Sequence, residues 1–441
     1  MPVNPPSRPL SCRALRWKRL VSTAIAAVVL AHPAWAQSRS DMRVDALLET
    51  GEWLTGDLVG IDAGRWRVGD REVAEHTIIA FTASQADNAR SGTLDGRIPA
   101  GAGVLELWQG QQLPGTVKVQ QSGTVWEHRW IGAVPIVIDR VSSLRLRGRK
   151  LPERRTDSDA ILLANGDVAT GFVESLGTDL VYEPSEAPTG ENLESARRIT
   201  LDRVAAVVFA AVASDVDPAV RADSMQLTTA DGSRVLGRNL RFTSEQPDET
   251  KSASATGGWS FELADPELAS VRKSDTSDNA AANVVAGVLQ ASRLRSFAVL
   301  GEPTLSVPDG SFHYGFERAY AALEGDARLP QLSRLRLAGP VVADFPLARS
   351  PGDPNGPVVF TAEISLEQPM PADARVELTI RFGSTDSEPI VLDARNPRRR
   401  IAVTDPSGAA LSLTIRLDDG GNGIAGDTVL LERACLISPA R

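Results

Sequence analysis

Residues 47–58 read LLETGEWLTGDL, and the phrase returns as LELWQGQQLPGTV (105–117), ILLANGDVATGFV (161–173) and LTTADGSRVLGRNL (227–240). Each copy carries two glycines five residues apart: Gly51/Gly56, Gly110/Gly115, Gly166/Gly171 and Gly232/Gly237. Apolar residues stand five positions before each first glycine (Ala46, Leu105, Ile161, Leu227) and two before each second one (Leu54, Leu113, Ala169, Val235). This repeat predicts tandem copies of one small β unit.

The phrase predicts a strand, a tight turn at the first glycine, and a second strand that bends at the second glycine. Glycine inside a strand costs about 0.5–1 kcal/mol relative to alanine, so its recurrence indicates a bend that a Cβ would obstruct. Bent strands allow a short sheet to curl into a small barrel. A lone unit of roughly 60 residues is marginally stable, so neighbouring units are expected to pack on each other.

The strand that completes each unit is clearest in copies two and three, as Ile136–Leu144 and Ile199–Val207, and looser in Val73–Phe81 and Phe261–Val271. We therefore predict β repeats at residues 42–82, 103–147, 159–210 and 223–273, with the hydrophilic insertion 244–258 as a hairpin loop. Six tryptophans lie in these repeats, in cores or contact surfaces: Trp53, Trp66, Trp108, Trp126, Trp130 and Trp259. His128 is expected to be a surface residue or a cross-strand partner.

The N-terminus has the pattern of a secretory signal peptide at residues 1–36. The basic residues Arg13, Arg16, Lys18 and Arg19 precede an apolar run at 20–31, which is too short to span a bilayer, and Ala34-Trp35-Ala36 fits a signal peptidase site. We therefore expect an exported protein, periplasmic or extracellular, with no membrane span after cleavage.

The charge and cysteine content limit the partners of the exported chain. Removal of residues 1–36 takes away five basic residues and no acidic ones, leaving 42 basic against 56 acidic groups and a net charge near −14. Such a surface repels nucleic acid and anionic lipid. Of the two cysteines only Cys435 remains, and its apolar flanks predict a buried strand residue.

The first repeat resembles the Sm-like and SH3-like small barrels. Leu48-x-x-Gly51-x4-Gly56-Asp-Leu58, followed by Ile61-Asp62, is similar to the first Sm motif. The resemblance implies small-barrel geometry. RNA binding in that family depends on an asparagine shortly after the aspartate and on a later Arg-Gly pair, and neither stands at the matching place in any copy. We therefore expect no nucleic-acid partner.

The remainder, residues 284–441, has the pattern of an antiparallel β-sandwich. Its predicted strands are Val358–Leu366, Ala374–Phe382, Ile390–Asp393, Arg400–Val403, Ala410–Leu417 and Val429–Ile437. Residues 283–295 are predicted as one short helix, because Val284, Val285, Val288 and Leu289 fall on one helical face. The fold class is thus all-β, with tandem small barrels followed by a jelly-roll-like sandwich.

The sandwich resembles the NPCBM family of carbohydrate-binding modules. The resemblance rests on Leu335–Gly339, Phe360–Leu366, Ala374–Phe382, Leu411–Asn422, Gly426-Asp427 and Ala434–Ile437. It implies sugar binding. Two stretches depart from the family pattern: Asp344–Ser350 replaces Gly-x-x-x-His-Ser, and Thr-Val-Leu-Leu follows Asp427 in place of His-Ala-Asp-Trp.

Two sets of candidate ligand-binding residues follow. His313, Tyr314, Tyr320 and Arg349 are the candidates for contacts with a sugar, since sugars need an aromatic face, although the aromatic residues here fit a core equally well. Asp418, Asp419, Asn422 and Asp427 offer hard oxygen ligands for calcium; the alternative is a solvated acidic loop.

Three hypotheses about function remain open. The chain lacks His-Glu-x-x-His, Gly-x-Ser-x-Gly and a phosphate loop, so we expect no enzyme. The favoured hypothesis is an exported, non-catalytic binding protein that recognises a polysaccharide or other glycan through its sandwich, with the repeats as spacer or protein-contact modules. The alternatives are a structural envelope protein that binds other envelope proteins, and an unrecognised hydrolase.

Overall fold

The computed structural model describes residues 42–85, 98, 101–108, 110–121, 123–148, 151–185, 196–210, 224–243, 258–271, 284–289, 296–298, 300–308, 315–323, 329, 332–347, 357–405, 410–418, 420–421 and 428–438.

The strands of the first half of the chain follow the sequence repeat. Repeat 1 contains β1 (Met42–Leu48), β2 (Trp53–Asp62), β3 (Arg65–Val68), β4 (Arg71–Ala74) and β5 (Ile78–Gln85). Repeat 2 contains β6 (Gly103–Leu107), β7 (Gln112–Gln120), β8 (Gly123–His128), β9 (Gly132–Pro135) and β10 (Val141–Arg145). Repeat 3 contains β11 (Asp159–Leu163), β12 (Val168–Leu176), β13 (Asp179–Pro184), β14 (Arg197–Thr200) and β15 (Val204–Val208).

Repeats 1 to 3 share one strand order. In each, the fifth strand pairs with the first, and the first to fourth pair in sequence, all antiparallel. A 3-10 turn separates the fourth and fifth strands at Glu75–Thr77, Ile138–Arg140 and Leu201–Arg203. The completing strand expected from the sequence is therefore two short strands with a turn between them. The all-β fold with antiparallel sheets is confirmed; closure into small barrels and the domain limits stay predictions.

Repeat 4 departs from this order. It contains β16 (Met225–Thr229), β17 (Arg234–Thr243), β18 (Gly258–Leu263), the helix α1 (Pro266–Val271) and β19 (Val284–Leu289). Asp265 begins the helix, because its carboxylate accepts the backbone N–H groups of Glu267 (3.0 Å) and Leu268 (3.3 Å). Phe261–Val271 is therefore not the completing strand.

The strand that completes repeat 4 is β19, which pairs with β16. The prediction of a helix at residues 283–295 is wrong, because residues Val284–Leu289 form the strand β19. β19 pairs within repeat 4, although the sequence analysis placed these residues in the sandwich. The insertion 244–257 lies outside the described residues.

The apolar positions of the repeat form the same cross-strand pair in every copy. Ala46 faces Leu54, Leu105 faces Leu113, Ile161 faces Ala169, and Leu227 faces Val235. Seven of these eight side chains are buried, and Ala169 is half-buried. The apolar positions of the sequence repeat thus correspond to the same core contact in all four copies.

The repeats pair both with the next copy in the sequence and with distant copies. β5 of repeat 1 pairs with β19 of repeat 4, and β10 of repeat 2 pairs with β15 of repeat 3. β17 of repeat 4 also pairs with β2 and β7. All 19 strands therefore belong to one hydrogen-bonded network.

The remaining strands form a sandwich of two antiparallel sheets. The first sheet contains β20 (Ser296–Ala298), β22 (Tyr320–Leu323), β23 (Ser333–Ala338), β25 (Val358–Leu366), β29 (Arg398–Asp405) and β31 (Thr428–Ser438). The second contains β21 (Thr304–Ser306), β24 (Val341–Pro346), β26 (Arg375–Phe382), β27 (Thr385–Asp386), β28 (Ile390–Asp393) and β30 (Ser412–Asp418). The six strands predicted here are confirmed, with ends that shift by at most two residues.

Two hydrophobic cores lie within the described part of the chain. One lies among the repeats, and the other lies between the two sheets of the sandwich, where Phe345, Phe360 and Ile415 are fully buried. Trp66, Trp126 and Trp259 are fully buried in the repeats, as expected of core tryptophans. No helix among the described residues is long and apolar enough to cross a membrane.

Candidate functional site

Of the four candidate sugar-binding residues, Tyr320 lies among the described residues. Tyr320 is half-buried on β22, and its ring lies 6.3 Å from the ring of the buried Phe345. Burial, and to a lesser extent the charge of Glu302, raise the pKa of Tyr320. His313, Tyr314 and Arg349 lie outside the described residues. Tyr320 thus packs against the sandwich core, and its role in sugar binding stays a prediction.

The candidate calcium ligands are likewise described only in part. Asp418 ends β30, and its carboxylate accepts two hydrogen bonds from Arg416, at 2.7 and 3.2 Å. Asp419, Asn422 and Asp427 lie outside the described residues. Within the described residues no group of three or more His, Cys, Asp or Glu side chains could hold a metal ion. Calcium binding stays a prediction.

The first sheet of the sandwich is covered on its outer face by repeat 1. Thr361 of β25 is buried, and its hydroxyl donates to the carbonyl oxygen of Gly51 at 3.1 Å. A Cβ at Gly51 would lie 2.6 Å from Val359 Cγ1, so the turn of repeat 1 needs glycine for this contact as well as for its φ of +80°. Cys435 of β31, fully buried as predicted, belongs to the core of the repeats.

Two arginines of the sandwich complete this contact. Arg433 is an extra residue in a β-bulge of β31, with φ of +56°, and its Nη1 lies 3.5 Å from Asp45 Oδ2. Arg400 pairs with the same carboxylate at 3.3 Å, and both guanidinium groups lie over the Trp53 ring, at 5.4 Å (Arg400) and 5.1 Å (Arg433). Burial raises the pKa of Asp45, but the hydrogen bond from Thr55 and the two positive charges outweigh it and lower the pKa below its ordinary value.

The second sheet has a polar outer face. Val376, Leu378, Ile380 and Phe382 of β26 point into the core, and the residues between them point outward. The outward polar residues of β24, β26, β27 and β30 include Asp344, Arg375, Glu377, Thr379, Arg381, Asp386, Ser412, Thr414, Arg416 and Asp418. Their register sets Thr379 beside Arg416 and Arg381 beside Thr414.

These outward side chains hold one another in place. Arg381 Nη2 donates to Asp386 at 3.0 Å, the Thr414 hydroxyl donates to Asp344, and Arg416 binds Asp418. This face is thus a row of guanidinium donors and carboxylate acceptors with fixed geometry.

Repeats 2 and 4 meet through a buried polar network that the sequence did not reveal. Gln111 is fully buried; its amide donates to Asp265 Oδ2 at 2.9 Å and accepts the backbone N–H of Leu236 at 3.1 Å. Arg140 also donates to Asp265, at 2.7 Å. His128, expected to be a surface or cross-strand residue, is buried in the same contact, 2.9 Å from the hydroxyl of Ser233.

His128, Ser233 and Asp231 resemble a catalytic triad in composition, but their hydrogen bonds run the opposite way. His128 Nδ1 accepts the N–H of Ile131, so the neutral ring carries its proton on Nε2 and donates it to Ser233. Ser233 then donates to Asp231 Oδ1 at 2.7 Å. A serine nucleophile must instead give its proton to histidine. Because Ser233 is fully buried, this set holds two repeats together.

Each repeat presents what we call its hairpin face, the two cross-strand pairs that flank the buried apolar pair. The pairs are Asp45/Thr55 and Leu47/Trp53 in repeat 1, Val104/Pro114 and Glu106/Gln112 in repeat 2, Ala160/Thr170 and Leu162/Val168 in repeat 3, and Gln226/Leu236 and Thr228/Arg234 in repeat 4. The face of repeat 1 binds the sandwich. The faces of repeats 2 and 4 bind each other, with Arg234 paired in register with Gln112.

The hairpin face of repeat 3 lines an open groove. All four of its residues border a groove of about 1190 Å³, together with Leu151 and Pro152. Val168 is 53% exposed, and Phe172, further along β12, is 51% exposed. The sequence signal for this face was the position two residues after each first glycine, where Trp53, Gln112, Val168 and Arg234 stand.

No protein-family model matches the chain, and no curated protein sequence matches it. Among solved structures the chain is distantly similar to carbohydrate-binding modules. For the CBM51-2 and INT domains of Clostridium perfringens ZmpB with GlcNAc, identity is 11% over 34% of this chain and 33% of that one, with a TM-score of 0.24. For CBM51 of Clostridium perfringens GH95 with methyl-galactose, identity is 13% over 32% and 93%, with a TM-score of 0.21.

A third similar structure is the xylan-binding module CBM15, with 11% identity over 32% of this chain and 92% of that one and a TM-score of 0.21. The match thus spans only a third of the ZmpB structure but most of the two single modules. Similarity at this level carries no information about what the present chain binds. The likeness to NPCBM modules and to Sm-like barrels stays a prediction.

Proposed function

We propose that this chain is an exported, non-catalytic binding protein whose sandwich recognises a glycan on the outer face of its second sheet. The observation that supports the proposal is the unequal cover of the two sheets. Repeat 1 buries Thr361 and Val359 on the first sheet, whereas Arg381 and Arg416 of the second sheet lie exposed on its outer face.

The chemistry of this face suits a ligand with many hydroxyl groups. Each sugar hydroxyl both donates and accepts hydrogen bonds. Arg381 and Arg416 supply donors, and Asp344 and Asp418 supply acceptors on neighbouring strands, which lie about 4.8 Å apart. Charge-assisted hydrogen bonds of this type are roughly twice as strong as neutral ones.

The pairs on this face also reduce the entropic cost of binding. Arg416 is held by Asp418 through two hydrogen bonds, and Arg381 is held by Asp386 in the same way. A side chain that is already fixed loses little further freedom when a ligand binds.

A glycan array with the whole mature chain, residues 37–441, tests the proposal. We expect specific binding that Arg416→Ala and Arg381→Ala each weaken at least tenfold. Lys118→Ala is the control, because Lys118 forms an exposed ion pair with Glu127 far away on repeat 2 and its loss leaves the sandwich unchanged. A folded chain that binds no glycan, or a glycan whose binding ignores both arginine variants, would overturn the proposal.

The same array, repeated with a chelator and with Asp427→Ala, tests the calcium prediction separately. Binding that both treatments abolish would assign calcium to the acidic turn. Binding that survives both would make that turn a solvated loop.

A second candidate function is a structural protein of the envelope that acts through protein contacts. The observation that favours it is that the hairpin faces of repeats 1, 2 and 4 already serve as docking surfaces within this chain. A mature chain that binds no glycan but forms a stable complex with a purified envelope protein would support this candidate instead.

A further inference from the structure

The hairpin face of repeat 3 differs from its three counterparts in what lies on it. In repeat 1 the Trp53 ring lies beneath Arg400 and Arg433, and Asp45 pairs with both. In repeats 2 and 4, Gln112 donates to the carbonyl oxygen of Gly232, and Gln226 donates to that of Gly110. Each of these three faces is thus covered by β structure of the same chain.

Repeats 2 and 4 show how two such faces bind each other. Gln112 is paired in register with Arg234, so the two hairpins meet edge to edge across an approximately reciprocal contact. Burial lowers the pKa of Arg234, and the charge of Glu106 on the facing repeat counteracts this. Two copies of this repeat are therefore able to associate through their hairpin faces.

The face of repeat 3 has an apolar centre. Val168 and Phe172 are large apolar residues that are more than half exposed, and both project from the same side of β12. Leu162, half-buried on the facing strand, extends the apolar surface across the hairpin. Because removing exposed apolar side chains from water is favourable, covering this strip supplies a driving force for association.

The wall of the groove is held in place by repeat 2. The Arg154 guanidinium lies 4.7 Å from the centre of the Trp108 ring, and Arg154 also donates to the carbonyl oxygen of Ser142 at 3.2 Å. The segment with Leu151 and Pro152 is therefore fixed, and the groove has a defined shape before any partner binds.

The rim of the groove is suited to a copy of itself. Arg147 and Glu153 are exposed residues that line the groove, and the exposed Asp167 lies in the chain between two lining residues, Gly166 and Val168. In a contact with two-fold symmetry, a residue near the axis meets its own copy, and a residue away from the axis meets a different residue of the other copy, which makes the reverse contact. A rim that carries both charges can thus pair with the same rim rotated by half a turn.

We propose that the hairpin face of repeat 3 is a homodimer interface that binds the same face of a second copy of this chain. In this dimer, two copies of the chain associate through their hairpin faces in the way that repeats 2 and 4 associate within one chain. It rests on the repeats alone and is independent of glycan binding by the sandwich.

Sedimentation velocity of the mature chain over a wide concentration range tests the interface. We expect a monomer–dimer equilibrium that Val168→Glu shifts at least tenfold toward monomer, because it places two carboxylates in an apolar contact. Val119→Glu is the matched control, since Val119 is an exposed valine of β7 (46%) at a distance from the groove. Circular dichroism verifies that both variants are folded.

Cross-linking provides a second measurement. Cys435 is buried, so Val168→Cys introduces the accessible thiol of the mature chain. Under mild oxidation we expect this variant to form a disulfide-linked dimer much faster than Val119→Cys. A chain that stays monomeric at every concentration, or a dimer that ignores Val168→Glu, would overturn the proposal. The proposal would also be overturned if Val168→Glu lost glycan or protein binding while the molecular mass seen in sedimentation velocity stayed the same.

Discussion

The two glycines of each repeat perform different tasks at the scale of single residues. The first glycine has a positive φ in every copy, +80°, +74°, +95° and +85°, and its N–H donates to the carbonyl oxygen three residues earlier. This is the tight turn that the sequence predicted, and glycine adopts such a φ without a steric cost. The second glycine instead allows neighbouring strands to approach closely.

Gly171→Ala tests the role of the second glycine. A Cβ at this position would overlap the carbonyl oxygen of Glu183 and lie 2.8 Å from Tyr182 Cδ2. Because backbone must move to relieve the clash, we expect the variant to lose about 1–3 kcal/mol of stability. The midpoint of urea unfolding, followed by fluorescence, measures the loss.

The control lies in the same repeat. Gly177 has no atom closer than 3.7 Å to an added Cβ, so Gly177→Ala is expected to change stability by less than about 1 kcal/mol. Equal effects of the two substitutions would mean that the second glycine acts through general strand propensity and not through this contact.

At the scale of elements, local patterns predicted most strands but not their partners. β25 and β28 have the predicted bounds, because alternation and turn residues mark both ends. The valines of β19 fit a helical face equally well, and its partner β5 lies some two hundred residues earlier in the chain. That pairing is a non-local choice, and the residues of β19 alone do not encode it.

The candidate site was also predictable from the sequence only where local patterns determine it. Alternation in β26 and β30 identifies which side chains point outward, including Arg381 and Arg416. Which outer face of the sandwich stays exposed depends on where repeat 1 docks, and that depends on Arg433 in a bulge. A bulge needs only one extra residue in a strand and leaves no periodic signal.

The contact between repeats 2 and 4 is expected to weaken at mildly acidic pH. Burial disfavours the charged form of His128 and lowers its pKa from 6.5 to about 4, and the charge of Asp231 opposes this only in part. Between these two values the unfolded chain binds the proton and the folded chain does not. Stability is therefore highest above about pH 6.5 and falls by about 2 kcal/mol from pH 7.5 to 5.

Urea midpoints measured across this range test the assignment. In His128→Gln the decrease between pH 7.5 and 5 should disappear, although the variant is less stable overall because it loses its hydrogen bonds. His76→Gln, an exposed residue of a 3-10 turn, should keep the decrease. A decrease that persists unchanged in His128→Gln would assign it to another group.

At the scale of the whole molecule, the chain is folded back on itself and is not a linear array. The sequence predicted that neighbouring units pack on each other, and repeats 2 and 3 do so through β10 and β15. In addition, repeat 4 pairs with repeat 1, and repeat 1 covers the sandwich. Residues 39–441 accordingly form one compact unit. The sandwich and the repeats depend on each other for burial of apolar surface.

Separation of the sandwich from the repeats should therefore expose apolar surface. A fragment of residues 290–441, which leaves β19 with the repeats, would uncover Val359, Cys435 and Ile437, which belong to the core of the repeats. We expect this fragment to aggregate and to enhance the fluorescence of a hydrophobic dye severalfold over residues 39–441 at equal concentration. A soluble fragment with no more dye binding than the longer chain would show that the two parts fold independently.

The buried thiol of Cys435 is a chemical probe of how often the contact between repeat 1 and the sandwich opens. The other cysteine, Cys12, lies in the predicted signal peptide, and burial raises the pKa of the Cys435 thiol, which keeps it protonated and unreactive. A small thiol reagent can modify it only during moments when repeat 1 lifts away from β31 or the whole chain unfolds. The labelling rate of the unmodified protein thus counts those openings, and a comparison with the global unfolding rate tells whether the sandwich detaches by itself.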